Sequence, residues 1–167
     1  MLKKLLLALV VALPCSAMAQ KFGVVDSEAI ITTMPEFNAM QTQIQETSKR
    51  YEDELQKLYD EANKLVADFQ TIQNDANTPD PIKERKMQEI QERSQKIEQF
   101  RQTASQDIQR QQEQLIAPIQ QKFTEAVQSV GAEGSFTFIF PSEPSLLLYS
   151  GSDVVDVTPL VRKKLGL

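Results

Sequence analysis

The sequence predicts an α+β chain in which a long antiparallel helical hairpin, a coiled-coil arm, is inserted into a small β-rich base. Three observations carry this. Residues 35–130 are rich in Gln, Glu and Lys, and their apolar residues recur three and four positions apart, which is the period of a helix face. One cluster of turn-forming residues interrupts them, in the stretch DANTPDPIKERK at 75–86. Short runs with strand-like alternation, KFGVVD and SFTFIF, stand at the two ends.

The first twenty residues, MLKKLLLALVVALPCSAMAQ, have a basic pair, an apolar run, Pro14 and then Ala17-Met18-Ala19. That is the form of a cleavable export signal, and cleavage is expected after Ala19, so that 1–19 is a leader. The apolar run is shorter than the roughly 20 residues that span a bilayer. Cys15 raises a lipoprotein reading, which Pro14 directly before it and Ala12 three before it fit poorly. With the leader gone, the one cysteine goes too, and the sequence has no histidine. Disulfides, thiolate chemistry, imidazole catalysis and His/Cys metal sites are then excluded together. Loss of Lys3 and Lys4 leaves 16 basic against 23 acidic side chains and moves the net charge from −5 to −7. A nucleic acid is not an expected partner of such a chain.

The domain organisation follows: base residues 20–34 and 131–167, and an arm at 35–130 with its tip near 75–82. KFGVVD reads as a strand, Asp26 or Ser27 caps a short helix SEAIITTM, and Pro35 is placed as the first residue of the next helix. In that helix Met40, Ile44, Thr47, Tyr51, Leu55, Leu58, Ala62, Leu65, Phe69, Ile72 and Ala76 form a seam, with an extra four-residue step near Tyr51, a stutter. Glu46–Arg50, Asp53–Lys57 and Asp60–Lys64 are set as i, i+4 ion pairs on its surface, as are Glu89–Arg93 and Glu92–Lys96 on the second arm. The second seam runs through Met87, Ile90, Ile97, Ala104, Ile108, Leu115, Ile119, Phe123, Ala126 and Val130, thinned where Ser94, Arg101 and Gln111 fall on it. Pro118 should kink this helix. At the tip, Asp80 caps a helix beginning at Pro81, or Thr78 one beginning at Pro79.

After Gly131, SFTFIF and LLLYS read as two further strands, and Thr158-Pro159 reads as the cap and first-turn pair of a closing helix that ends at Gly166. Three short strands and one helix give the aromatic residues little to bury against within one chain, so oligomerisation through the base is expected. Its candidate residues are Phe22, Val24, Phe136, Phe138, Phe140, Leu146 and Leu148.

The order KFGVVD, short helix, MPEF, polar hairpin, SFTFIF, LLLYS and DVTPLVRKKLGL resembles the Skp/OmpH family of periplasmic chaperones, over essentially all of the chain after the leader. The resemblance implies a periplasmic homotrimer with a β-rich trimerisation base and helical arms enclosing a cavity. It also implies an ATP-independent holdase whose partners are unfolded outer-membrane proteins. Members best known for this activity look basic, whereas this chain is acidic. Lys83, Arg85 and Lys86 near the tip are largely offset by Asp75, Asp80 and Glu84, so the family's lipopolysaccharide contact is not carried onto particular residues. The candidate client-binding residues are Phe69, Ile72, Ile82, Met87, Ile90 and Phe100, the apolar side chains of the tip half, where packing partners are fewest.

Solvated Glu and Lys on helical arms offer no dry pocket for acid/base work. The sequence also has no phosphate-binding Gly-rich loop and no Gly-x-Ser-x-Gly, so an enzyme is not expected and no cofactor is implied. The alternative to the holdase is a structural or adaptor protein whose hairpin docks one folded envelope partner. A spacer without client is a third reading.

Overall fold

The computed structural model describes residues 20–167. The expected leader, with Cys15, lies outside them. In chain order the elements are β1 (Phe22–Val25), α1 (Ser27–Ile31), α2 (Pro35–Ile72), α3 (Asp80–Glu133), β2 (Phe138–Pro141), β3 (Val155–Asp156) and α4 (Thr158–Leu165). Contacts divide the chain into two compact units. One holds the described residues up to Ser27 together with Ala126–Gly166, and the other holds Glu28–Glu125.

In the first unit a three-stranded, all-parallel sheet has the order β2-β1-β3. Phe22 pairs with Phe138, Gly23 with Ile139 and Val24 with Phe140, while Gly23 and Val24 meet Val155 and Asp156 on the other side. Because side chains alternate across a sheet, Gly23 and Val25 share one face and Phe22 and Val24 the other. The Gly23 face is the covered one: Val25 is 3% exposed, and a Cβ on Gly23 would stand 3.2 Å from both Ile139 and the Phe136 ring. Val157 and Val161, one helical turn apart, are fully buried. The Thr158 hydroxyl accepts the Asp26 N–H at 2.9 Å, which ties the start of α4 to the end of β1.

Two expectations fail here. LLLYS is not a strand: Leu146 and Leu147 donate to the Glu143 carbonyl in a turn led by Pro144, and the third strand is Val155–Asp156. The free edge of β1 is taken by that pair, so the leucine run has no partner strand among the described residues. Thr158 is also not the cap of α4. Asp156 Oδ1 accepts the Thr158 N–H at 2.9 Å, while Gly166 closes the helix in the left-handed conformation, φ 78°.

In the second unit α2 begins at Pro35, as expected, with a buried Met34 before it. Its 38 residues make a rod of roughly 57 Å. Buried and half-buried positions follow the expected seam from Met40 through Tyr51 to Ile72, stutter included, whereas Ala76 is exposed beyond the helix end. The arms run antiparallel, as their cross-contacts show: Glu36 pairs with Lys122, Thr47 with Gln111, Tyr51 with Asp107, Glu61 with Arg93, and the Asp75 carbonyl with Lys83.

The seam of α3 keeps Ile90, Ile97 and Ala104 inward as expected, but over the tip half the positions between them shift by one residue. Arg93 and Phe100 face inward, Ser94 and Arg101 outward, and Met87 is 58% exposed. Where no apolar residue holds the place, it goes to a long side chain that reaches the other arm, as Arg93 does by pairing with Glu61 at 2.9 Å. The expected surface pairs are likewise replaced. Lys57 meets Glu54, Arg50 donates to Thr47, and Glu89 takes Arg85 and Lys86. α3 runs through Pro118 as one helix.

Candidate functional site

The hairpin tip is built by Asp75. Its Oδ1 accepts the Asn77 N–H at 3.0 Å, its Oδ2 accepts the Thr78 hydroxyl at 2.7 Å, and its carbonyl accepts Lys83 Nζ at 2.9 Å. The Asn77 N–H and the Thr78 hydroxyl hold its carboxyl below the usual carboxylate range. Thr78 is thereby spent on the turn, and the Pro79 carbonyl takes the first backbone bond of α3, from Ile82. The caps expected from Asp80 or Thr78 are thus replaced by an Asx-type turn. The tip cations are consumed locally, Lys83 by Asp75 and Arg85 and Lys86 by Glu89.

Around this turn the six candidate client-binding residues separate. Ile82 (41% exposed) and Met87 present apolar surface to solvent. Phe69, Ile72 and Ile90 are half-buried in the seam. Phe100 lies about 20 Å along α3 from Met87 and packs edge-on against Tyr51, ring centres 5.8 Å apart.

Tyr51 anchors a polar layer between the arms. Its hydroxyl and the Gln111 amide both donate to Asp107 Oδ2, at 2.8 and 2.7 Å, and Arg110 pairs with the other oxygen. Thr47, 3% exposed, donates to Gln111 and accepts from Arg50. The Tyr51 hydroxyl pulls Asp107 below the carboxylate range, and the carboxylate pushes the Tyr51 phenol up. Surface cavities of 370 and 290 Å³ share the Tyr51 and Phe100 rings as lining. From this layer toward the tip α2 has no fully buried seam residue, so that half of the seam is partly wet.

In the first unit the second face of the sheet is open. Phe22 stacks on Phe138 at 6.3 Å, Phe138 touches Phe140 at 5.8 Å, and Phe138 and Phe140 are 58% and 46% exposed. Val24 shares that face, half-buried. Phe136 does not join them: its ring fits against Gly23 and Gly134 with the Lys21 ammonium 4.1 Å from its centre. Leu146 and Leu148, in the loop after β2, are exposed, and so are Tyr149 and Leu160, which sequence reasoning missed. Tyr149 ends the quoted leucine run and could have been found there. Leu160 could not, because its exposure depends on how α4 packs.

The described residues contain no group of His, Cys, Asp or Glu able to hold a metal ion. The carboxyls that shift (Glu36, Asp75, Asp107 and Glu133) all shift downward, toward the fixed anion, because each accepts hydrogen bonds, Glu36 from Lys122 and Glu133 from Lys164. A general acid working near neutral pH needs the opposite shift. No described helix is long and apolar enough to cross a membrane.

A family model described as outer membrane protein (OmpH-like) matches residues 21–165. The chain belongs to the OmpH-like family. The match takes in both units of this OmpH-like chain, the sheet with its open aromatic face and the hairpin with its polar layer. Membership points to a chaperone role toward outer-membrane proteins. No curated protein matches the sequence.

Proposed function

We propose that this OmpH-like protein is an ATP-independent periplasmic holdase, exported with removal of residues 1–19 and assembled as a homotrimer. Its base would be 20–34 with 131–167, and its arms 35–130. The observation that carries the reading is the family match across both units. Two features support its parts. A parallel sheet is normally covered on both faces, yet here Phe22, Val24, Phe138 and Phe140 lie on an uncovered one, and copies of the chain would cover it, helped by Leu146 and Leu148. The wet, sparsely apolar tip half, with Ile82 and Met87 outward and Phe69, Ile72, Ile90 and Phe100 partly available, suits many weak contacts with an unfolded chain. Release then requires only that insertion elsewhere be more favourable than those contacts together.

The test dilutes a urea-unfolded outer-membrane β-barrel into the purified protein, following light scattering and the mass of soluble complexes. Suppressed aggregation with a trimer-plus-client mass is expected. Aggregation unchanged by an intact trimer would sink the holdase. That outcome favours the adaptor reading, for which exposed Ile82 and Met87 beside an ordered turn would be the docking point.

A further inference from the structure

We propose that Gln20 is a modification site, where the exported chain closes its first residue into a pyroglutamate ring. The inference rests on the proposed cleavage after Ala19, which makes Gln20 the terminal residue. Gln20 is exposed, and no described hydrogen bond holds its nitrogen or its carboxamide. Anchoring starts one residue later. The Lys21 carbonyl accepts the Thr137 N–H at 2.7 Å, and Lys21 Nζ donates to the Gly134 carbonyl at 3.1 Å while lying over the Phe136 ring. Residue 20 is therefore a free residue on a fixed support, and ring closure needs only rotation within that residue.

The α-amine nitrogen attacks the Cδ carbon of its own side chain. A C–N bond forms, the Cδ–Nε2 bond breaks, and the departing nitrogen takes a proton from the attacking amine and leaves as ammonia. The attacking amine must be uncharged, as roughly one ordinary terminal amine in ten is at pH 7. No oxidant or cofactor enters. The product is a neutral lactam in place of an α-ammonium. It stands two residues before Phe22, whose ring stacks on Phe138 in the open face. Covering that face with another copy of the chain would otherwise desolvate a charge at its rim.

The gene including its leader is expressed into a Gram-negative periplasm. The purified protein is cut with Asp-N and its N-terminal peptide weighed and subjected to Edman degradation, which needs a free α-amine and ignores the Lys21 side chain, before and after incubation at 37 °C, with Gln20→Ala as reference. The expected peptide begins at residue 20, weighs less than the unmodified sequence by one ammonia and resists Edman degradation, while the variant keeps full mass and degrades from its first residue. A peptide that begins at Gln20 with full mass and a degradable α-amine throughout overturns the modification and leaves the cleavage reading standing. A terminus at any other residue overturns both.

Discussion

The Tyr51 hydroxyl donates to the Asp107 carboxylate at 2.8 Å across the two arms, at the extra four-residue step of the seam. A stutter is where apolar packing between helices is least well specified, and a satisfied polar pair there accepts one register and rejects slipped ones. The two partners titrate in opposite senses. Asp107 is lowered by the Tyr51 hydrogen bond, so its contribution is complete above its ordinary pKa of 3.8 and is lost as pH falls through the depressed value. Tyr51 is raised by Asp107, so its contribution is complete below 10.0 and is lost as pH rises through the raised value. Melting temperature against pH should fall at both ends, with Asp107→Asn flattening the acid limb and Tyr51→Phe the alkaline one. Limbs identical to wild type in both variants would remove the pair from the stability of the hairpin.

Ser135 follows the end of α3 in the left-handed region, φ 53°, while its N–H bonds the Ala132 carbonyl and the Phe136 N–H bonds the Gly131 carbonyl. This is a Schellman ending with serine where glycine is usual. Ser135→Gly should raise stability by about 0.5–1 kcal/mol in thermal or denaturant unfolding. A loss of stability would show the strain to be absent.

One position earlier the opposite holds. A Cβ on Gly134 would stand 2.4 Å from the Phe136 ring. Gly134→Ala should cost about 1–3 kcal/mol and displace that ring from Lys21, which the near-ultraviolet signal of the aromatics would report. A variant of native stability would mean that the ring has room to shift.

At the tip, Asp75→Ala removes the acceptor for Asn77 and for Thr78. Limited proteolysis should then cut between residues 73 and 79 faster than in the wild type, with the melting temperature nearly unchanged. An unaltered cutting rate would mean that the two prolines alone hold the turn.

Ile82 and Met87 are exposed, so Ile82→Ser and Met87→Ser should each leave stability within about 0.5 kcal/mol. Spread contacts predict that each weakens binding of an unfolded β-barrel by less than about tenfold, ~1.4 kcal/mol. A larger loss from either one would identify a hot spot and support the docking of a single partner.

Much of this fold is legible in the chain. The α2 seam can be read because Leu55, Leu58, Leu65 and Phe69 fix its phase, and Pro35 marks its start. In α3 near the tip Ile90, Ile97 and Ala104 keep the legible phase, but the positions between them could not be read, because Gln and Glu outnumber apolar residues there and Arg93 takes an inward place by pairing with Glu61. β3 was missed because a strand of two residues has no alternation to detect, and LLLYS was misread because strand propensity needs a partner edge to act on. Within the candidate sites, the exposure of Ile82 follows from its place directly after Pro81, whereas Met87 is expected on the seam and turns out of it. The capture of Phe100 by Tyr51 and of Phe136 by Gly23 depends on partners far away in the sequence.

The central strand of the sheet is the first of the described elements in chain order, yet both of its neighbours lie beyond the hairpin: Phe22 waits for Phe138, and Val24 for Asp156. The hairpin closes on itself and can zip up early, while the sheet carries high contact order and is slow to form. During synthesis β1 therefore stays unpaired until Phe138–Pro141 has been made and keeps one aggregation-prone edge until Val155–Asp156 follows. A chain stalled before Asp156 would carry complete arms on an unfinished sheet.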